Sequence, residues 1–471
     1  MMVTSTLYMV LQVVIGVVLA QADAASLSKS WENVAYHRTV DVSRTYTQER
    51  IDLHIKNIDN KAIEEYYFVL PEGIFENIAL FSAQLKRADA FLESAIIPQQ
   101  TFVANGEHVK VAVVKMPTSV EPGSSTDIAI TLVYGSHRQP YSGSVEMGER
   151  QLLHLSTNTY PLSAYNTQQY TMSLEGSPSI EVVSNSSDDN FSCRKEGSRL
   201  DCESHKAIGP YQKTAPLKIV FERNLPSSRV SFLAREVWVS HWASTMQFEE
   251  SYDLVNDAAP LKGGFSRAEY MKGQHAMKQH GHLTALEMVL PSDSEEHYFT
   301  DLVGAVSTFR VLQDHIFLKP RFPIFGGWKY NFTIGWTNGL SQFLHIEDVD
   351  TESFVLSVPI LNGPADTYYS KMNLSVYLPE GSEVLDVWCP LPVVSTEVTA
   401  SKSYFDLNNG HTKVTFELNN MVDTVSTSKV FVRYKFSTFS FYRKPISIAA
   451  SIFISLMAFF FLKQITFTIE N

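Results

Sequence analysis

The sequence predicts a mainly β protein, with two related antiparallel β-sandwich-like domains, a few helices and one C-terminal transmembrane helix. Three observations carry that reading. Apolar and polar residues alternate with period two along the body, two segments of the body share one pattern, and a single uncharged run lies near the C-terminus.

Alternation is plainest in ERIDLHIKN, where Ile51, Leu53 and Ile55 interleave with Asp52, His54 and Lys56. It returns at Ile128, Ile130, Leu132 and Tyr134, and again at Met372, Leu374, Val376 and Leu378. Val414, Phe416 and Leu418 repeat it, then Val432, Tyr434 and Phe436. Successive side chains of a strand point to opposite faces, so each run has one buried and one solvated face. Pro122-Gly123 and Asn409-Gly410 supply turns between such runs. Helix signals are fewer. Ser266 and Glu269 make a capping box ahead of AEYMKGQHAMKQH, which Gly281 is placed to stop, and a second candidate helix lies around Ala83 to Ala95.

Duplication shows in two places. TYPLSAYNTQQYTMSLEGSPSIEVV, from Thr159, and SVPILNGPADTYYSKMNLSVYLPEGSEVLDV, from Ser357, order a proline, a tyrosine-bearing polar stretch, an alternating strand and a glycine turn alike. FVLPEGIFENIALFSA and MVLPSDSEEHYFTDLVGAVST match more loosely. The expected domains are 25–226 and 227–440, meeting near Asn224-Leu225-Pro226.

The two ends set the topology. Residues 1–22 hold no charged side chain, Leu7 to Ala20 is nearly all apolar, and Ala20, Ala22, Ala24 and Ala25 follow. That is the pattern of a secretory signal peptide cleaved at 22–24. The run PISIAASIFISLMAFFFL (445–462) has Arg443 and Lys444 before it and Lys463 after. As a helix it measures roughly 27 Å, about the hydrocarbon thickness of an ER bilayer. It is apolar all round, whereas core helices are amphipathic. Phe439, Phe441 and Tyr442 stand where an interfacial aromatic belt lies. The chain is thus expected to be a single-pass type I protein, lumenal except for the span and a short cytosolic tail, 463–471.

A net charge of −12 without a long basic block excludes nucleic acid as a partner. Of three cysteines, Cys193 and Cys202 flank a polar loop and are expected to pair in an oxidising lumen, leaving Cys389 as a buried thiol. Asn185, Asn190, Asn331 and Asn373 begin N-x-S/T sequons, candidate glycosylation acceptors; Asn373 falls on the polar face of its strand.

Catalytic motifs are missing: no G-x-S-x-G elbow, Walker loop, HExxH or GxGxxG is present. His275, His280 and His282 are the densest histidine cluster, but positions five apart on a helix do not share a face. Asp348-Val349-Asp350 has the form that holds a divalent metal on a sugar diphosphate, yet it stands in an acidic, loop-like run that reads as a solvated turn. Glu249-Glu250 and Glu295-Glu296 are adjacent, so on strands each pair points to opposite faces. No catalytic residue, metal site or cofactor is expected.

Longer strings are more particular. WENVAYHRTVDVS (31–43), VWVSHWASTMQFEESYDL (237–254), HYFTDLVGAVST (297–308) and KPRFPIFGGWKYNFTIGWTN (319–338) resemble the ribophorin I family, a subunit of the ER oligosaccharyltransferase. The resemblance covers the chain from Trp31 to the span and points to the fungal members. It implies an ER membrane protein whose complex moves oligosaccharide from dolichyl diphosphate to sequon asparagines of nascent polypeptides. Catalysis in that family belongs to a separate many-spanning subunit. The role implied here is non-catalytic: stabilising the complex and helping to present acceptor polypeptide, with the other subunits, nascent chains and membrane lipid as partners. A stand-alone lumenal chaperone-like receptor is the alternative. Animal members carry a sizeable cytosolic domain after the span, so the short 463–471 tail weakens any expectation of ribosome docking through it. Trp328, Tyr330 and Trp336 either anchor a partner or glycan or fill the second domain's core. Alternation puts Trp328 and Tyr330 inward, opposite Lys329, Asn331 and Thr333.

Overall fold

The computed structural model describes residues 29–464 except 105–106, 136–137, 184–189, 213–214, 274–280, 349, 404–405 and 407–409. The expected signal peptide and residues 465–471 lie outside the described residues.

The first domain begins with β1 (Trp31–Asp41), β2 (Thr47–Asn57), β3 (Ile63–Pro71), β4 (Ile78–Leu85), β5 (Ala90–Ala104), β6 (Glu107–Val120) and β7 (Ser125–Tyr134). It continues through β8 (Arg138–Pro140), β9 (Leu152–Asn158), β10 (Asn166–Glu175), β11 (Ile180–Val182), β12 (Phe191–Glu196), β13 (Arg199–Ser204) and β14 (Pro216–Glu222). The second opens with β15 (Ser228–Ser240), β16 (Thr245–Asn256), β17 (Leu286–Val289), β18 (Glu295–Asp301), β19 (Gly304–Ala305), β20 (Phe309–Leu312), β21 (His315–Leu318) and β22 (Lys329–Gly339). It ends with β23 (Leu344–Asp348), β24 (Ser353–Pro359), β25 (Thr367–Glu380), β26 (Glu383–Trp388), β27 (Ser395–Ser401), β28 (His411–Val422) and β29 (Lys429–Lys435). The described helices are α1 (Glu72–Phe75), α2 (Arg267–Gly273) and α3 (Thr438–Gln464).

Sheet order shows the duplication directly. The first domain's sheets run β12-β13-β10-β1-β2-β7-β4-β5-β6-β3 and β11-β14-β9-β8. Read in reverse, the second domain's run β27-β28-β25-β15-β16-β22-β18-β19 and β26-β29-β24-β23, with β20-β21-β17 as a separate sheet matching β5-β6-β3. Among the described strands, pairing is antiparallel except for one parallel pair per domain, β1 with β10 and β15 with β25. Those pairs arise because β10 and β25 enter the large sheet by crossing over from the small one, after β9 and β24. Local details repeat as well. The opening hairpins bulge at corresponding places, between Asn33 and Ala35 and between Val230 and Phe232. Their second strands end on fully buried asparagines, Asn57 and Asn256.

Asn256 shows what such a residue does. Its Oδ1 accepts from the Ser227 and Ala258 amides, and its Nδ2 donates to the Gly281 and Ile324 carbonyls. One amide side chain thereby satisfies four backbone groups from three loops, which a buried loop requires. Asn256→Ala is expected to cost about 2 kcal/mol, since buried backbone groups left unpaired each carry a desolvation penalty. Urea unfolding of the full chain in detergent measures it.

The cores separate cleanly. One apolar cluster runs from Trp31 to Phe221, the other from Val230 to Phe436. The small cluster of Tyr46, Val133, Tyr368 and Val422 joins the two domains. The helix expected around Ala83 to Ala95 is instead a hairpin. β4 lies along β7, with Ala83 opposite Ile130 and Phe81 opposite Leu132. Asp89, at φ 46°, helps turn the chain into β5. The local helical preference of the alanines yields to ladder partners almost 50 residues away, and Ala83 is buried there. Half of the capping box is formed: the Glu269 amide donates to Ser266 Oγ at 3.3 Å. The described helix ends at Gly273, and the expected remainder, with His275 and His280, lies outside the described residues.

Candidate functional site

Among the described residues no group of three or more His, Cys, Asp or Glu could hold a metal. His282 stacks on Phe325, with ring centroids 4.8 Å apart, as an aromatic packing residue. Asp348 ends β23, and Val349 lies outside the described residues. Glu249 and Glu250 separate to the two faces of β16: Glu249 accepts from the Tyr298 hydroxyl outside, while Glu250 is fully buried beside Arg235. Glu295 and Glu296 are both exposed, at an irregular strand start where Glu296 has φ 53°. Opposite faces therefore do not apply to that pair.

The aromatic stretch packs inward. Tyr330 and Trp336 are 4% and 2% exposed in the core, and Trp336 stacks on Phe248 at 5.0 Å. Neither has a face left for a partner, which corrects their candidacy as contact residues. Trp328 is half-buried among Phe265, Phe322 and Phe325. Asn331 is exposed, with its Nδ2 on Asp253. Asn373 is half-buried on the outward face of β25 between Met372 and Leu374, and its Oδ1 has no protein partner. Asn190 precedes β12, and Asn185 lies outside the described residues. The Cys193–Cys202 disulfide ties β12 to β13, opposite each other in register. Cys389 is half-buried rather than buried, and burial pushes its thiol pKa up.

What the arrangement builds is mechanical. β15 spans thirteen residues, about 40 Å of strand. At its Ser228 end the domains lock together through Asp366, which accepts from the Thr45 amide and from Arg223. Tyr46 donates to Asp423, Asn420 to the Glu76 carbonyl, and Val145 to the Pro260 carbonyl. At the Ser240 end a collar grips the start of α3. Trp242 Nε1 donates to the Phe441 carbonyl at 2.8 Å, and the two rings stack. Lys444 reaches Asp406 at 2.7 Å and Glu380 at 3.4 Å. Glu352 accepts from the Thr438 amide, placing a carboxylate at the positive end of the helix. A cavity of about 250 Å3 opens between Trp238, His241, Trp242, Phe441 and Lys444.

His241 lies in this collar with its Nε2 2.6 Å from the Tyr434 hydroxyl. Burial lowers its pKa from 6.5 to about 4. Between those values the unfolded chain binds a proton that the folded chain does not. The neutral ring's contribution is therefore complete above pH 6.5 and is lost as pH falls toward 4. His241→Phe is expected to flatten the fall in Tm between pH 6.5 and 4.5 seen in thermal scans of the full chain. The signal in the sequence was modest: a Trp in the hairpin turn HWAS, exposed where turns are usually polar.

From Pro445 to Leu462 the helix carries no charge, and from Ile448 onward every described residue is exposed. Thr438–Gln464 is long and apolar enough to cross a membrane, and none of its most apolar stretch is buried.

Comparison with known proteins covers the whole of this architecture. The sequence model of the ribophorin I family matches residues 31–463. Subunit 1A of dolichyl-diphosphooligosaccharide-protein glycosyltransferase from Arabidopsis thaliana is 26% identical over 88% of this chain and 67% of its own length. Subunit 1 of the same-named enzyme from Schizosaccharomyces pombe is 25% identical over 91% of this chain and 94% of its own. The Caenorhabditis elegans subunit 1 is 24% identical over 96% of this chain and 75% of its own. These values lie too close together to single out fungal members.

Proposed function

This chain belongs to the ribophorin I family, and from that premise we propose that it serves as subunit 1 of the oligosaccharyltransferase of the ER membrane. The observation carrying the proposal is the reach of the family match, which takes in both β domains, the collar and the helix. Within the complex its role is non-catalytic. It holds a rigid two-domain body on the lumenal side, supports the subunit that transfers oligosaccharide, and helps to present nascent polypeptide. Buried carboxylates such as Glu49 and Glu250 are spent on structural ion pairs, which supports a scaffold rather than a chemical centre. Asn190, Asn331 and Asn373 are its own candidate glycan acceptors.

The test is isolation of the tagged chain from ER membranes in mild detergent. Co-migration with glycan-transfer activity on native sizing, combined with no transfer by the chain alone, supports the reading. A free monomer would instead favour a stand-alone lumenal receptor for glycoproteins. Transfer by the purified chain would overturn the non-catalytic role.

A further inference from the structure

The collar carries more than a grip on the helix. Around the root of α3 stand four large, exposed side chains from three parts of the chain: Trp242 (58% exposed), Ile346 (65%), Phe439 (76%) and Tyr442 (52%). Monomeric surfaces rarely gather such residues without a use. Their height relative to the bilayer follows from geometry. Trp242 bonds the Phe441 carbonyl, so the indole lies level with Phe441. Phe441 precedes Pro445, where the apolar run begins, by four residues, about 6 Å of helix. The polar layer on each side of a bilayer's hydrocarbon is about that thick. Once α3 crosses the membrane, Trp242 has no position outside the interfacial layer.

We propose that the membrane-side end of the second domain is itself a lipid-contacting surface, with Trp242, Ile346, Phe439 and Tyr442 seated among phospholipids of the lumenal leaflet. The chemistry suits that occupant. Indole and phenol rings present an apolar body and a polar edge, the combination that interfaces favour. Glu347 beside Ile346 is paired with Arg433, whereas Glu352 keeps its charge under the bonds from Thr438, so the surface suits a zwitterionic phospholipid better than an anionic one. A second cavity, of about 270 Å3, lies between Ile346, Phe354, Phe436, Phe441 and Tyr442. It shares Phe441 and Tyr442 with the helix. Domain orientation then becomes a two-point attachment: the helix passes through the bilayer and the collar rests on it.

Tryptophan quenching in nanodiscs tests this, because α3 contains no tryptophan. The full chain is reconstituted in phosphatidylcholine brominated close to the headgroup and, separately, in the unbrominated lipid. Quenching of the wild type by the brominated lipid is expected, together with loss of most of that quenching in Trp242→Phe. Ile346→Asn keeps every tryptophan and is expected to weaken the quenching by lifting the collar. Equal quenching in wild type and Trp242→Phe, or none in either, overturns the proposal. So does quenching that vanishes when the chain is measured within its native complex, because a protein partner then covers the patch. The measurement on the isolated chain does not depend on the subunit role, so failure here leaves that role standing.

Discussion

Glu49→Ala is expected to destabilise the first domain by about 3–5 kcal/mol, enough to unfold it near 37 °C in a domain of ordinary stability. Glu49 and Arg38 form an ion pair with side chains 3% and 7% exposed. The guanidinium meets both carboxylate oxygens, at 2.8 and 2.6 Å, and Tyr134 donates a third bond to the carboxylate at 2.6 Å. Arg38 also reaches the Thr157 hydroxyl and the Asn158 carbonyl on β9, so the pair stitches the large sheet to the small one. Removing the carboxylate strands a desolvated cation and an unpaired phenol, and that penalty, rather than the pair's net worth, sets the size of the effect. The double variant Arg38→Met/Glu49→Leu removes both charges and is expected to recover most of the loss. Pulse proteolysis in urea on the full chain in detergent, with fragments mapped to each domain, reads both variants. A single variant as stable as the wild type, or a double variant worse than the single, would show that the charges do not work this way.

The second domain repeats the device. Arg235 occupies on β15 the place of Arg38 on β1, five residues beyond the matching bulge. It pairs with Glu250 on β16, with both side chains fully buried. Phe248 and Trp336 pack against its guanidinium, at 5.1 and 5.7 Å. Neither arginine stood out in the sequence. An isolated Arg in an alternating strand reads as a solvated residue, and its partner is set by a register that periodicity does not encode. Laying the two opening hairpins over each other would have exposed the coincidence.

Much else was legible because it is local. Alternation places Ile51, Leu53, Ile55, Met372, Leu374, Val376 and Leu378 on core faces, and all are buried; Ser375 and Tyr377, on the other face of β25, are buried too, which alternation does not foresee. The segments from Thr159 and Ser357 showed the duplication because each contains a crossover and a central strand, which both domains need in the same order. What failed was nonlocal. Ala83 to Ala95 carries helix formers, and only pairing with β7 makes it a hairpin. Tyr330 and Trp336 offered a choice between surface and core, and packing against Phe332 and Phe248 settles it for the core. The collar was half visible. The aromatic residues before the span were readable, but the groups that grip the start of the helix lie far off in sequence: Asp406 is 38 residues from Lys444, Glu352 86 from Thr438 and Trp242 199 from Phe441.

Asp366→Ala is expected to release the two domains from each other while each stays folded. Asp366 takes φ 52° and is spent entirely on the junction: Oδ1 accepts from the Thr45 amide at 2.6 Å and Oδ2 from Arg223 at 2.5 Å. Arg223 is the buried partner, with its side chain 4% exposed against 28% for the aspartate. Its remaining bonds go only to backbone carbonyls, Ser43, Leu225 and Pro226, and to the Thr45 hydroxyl. Burial pulls its pKa down, and Asp366 is the charge that opposes this. Losing the aspartate leaves the buried guanidinium of Arg223 without its paired carboxylate and an amide without its acceptor, a cost of about 2–3 kcal/mol. Neither core supplies an atom to this bond, since Thr45, Arg223 and Asp366 belong to neither apolar cluster. The cost therefore falls on docking. Hydrogen exchange should quicken at Thr45 and across 224–227, with protection in β2 and β16 retained, and proteases should cut between the domains. Unchanged exchange at Thr45 would place the docking energy elsewhere. The nearest alternative is the contact of Gly135 with the Tyr368 ring, where an added Cβ would lie 2.4 Å from the ring. Gly135→Val then becomes the variant that opens the molecule. A two-domain body that loosens at Asp366 would keep its membrane attachment through Trp242 and Lys444 yet lose the fixed reach of the first domain, and any decline in glycan transfer by the complex would measure what that reach is for.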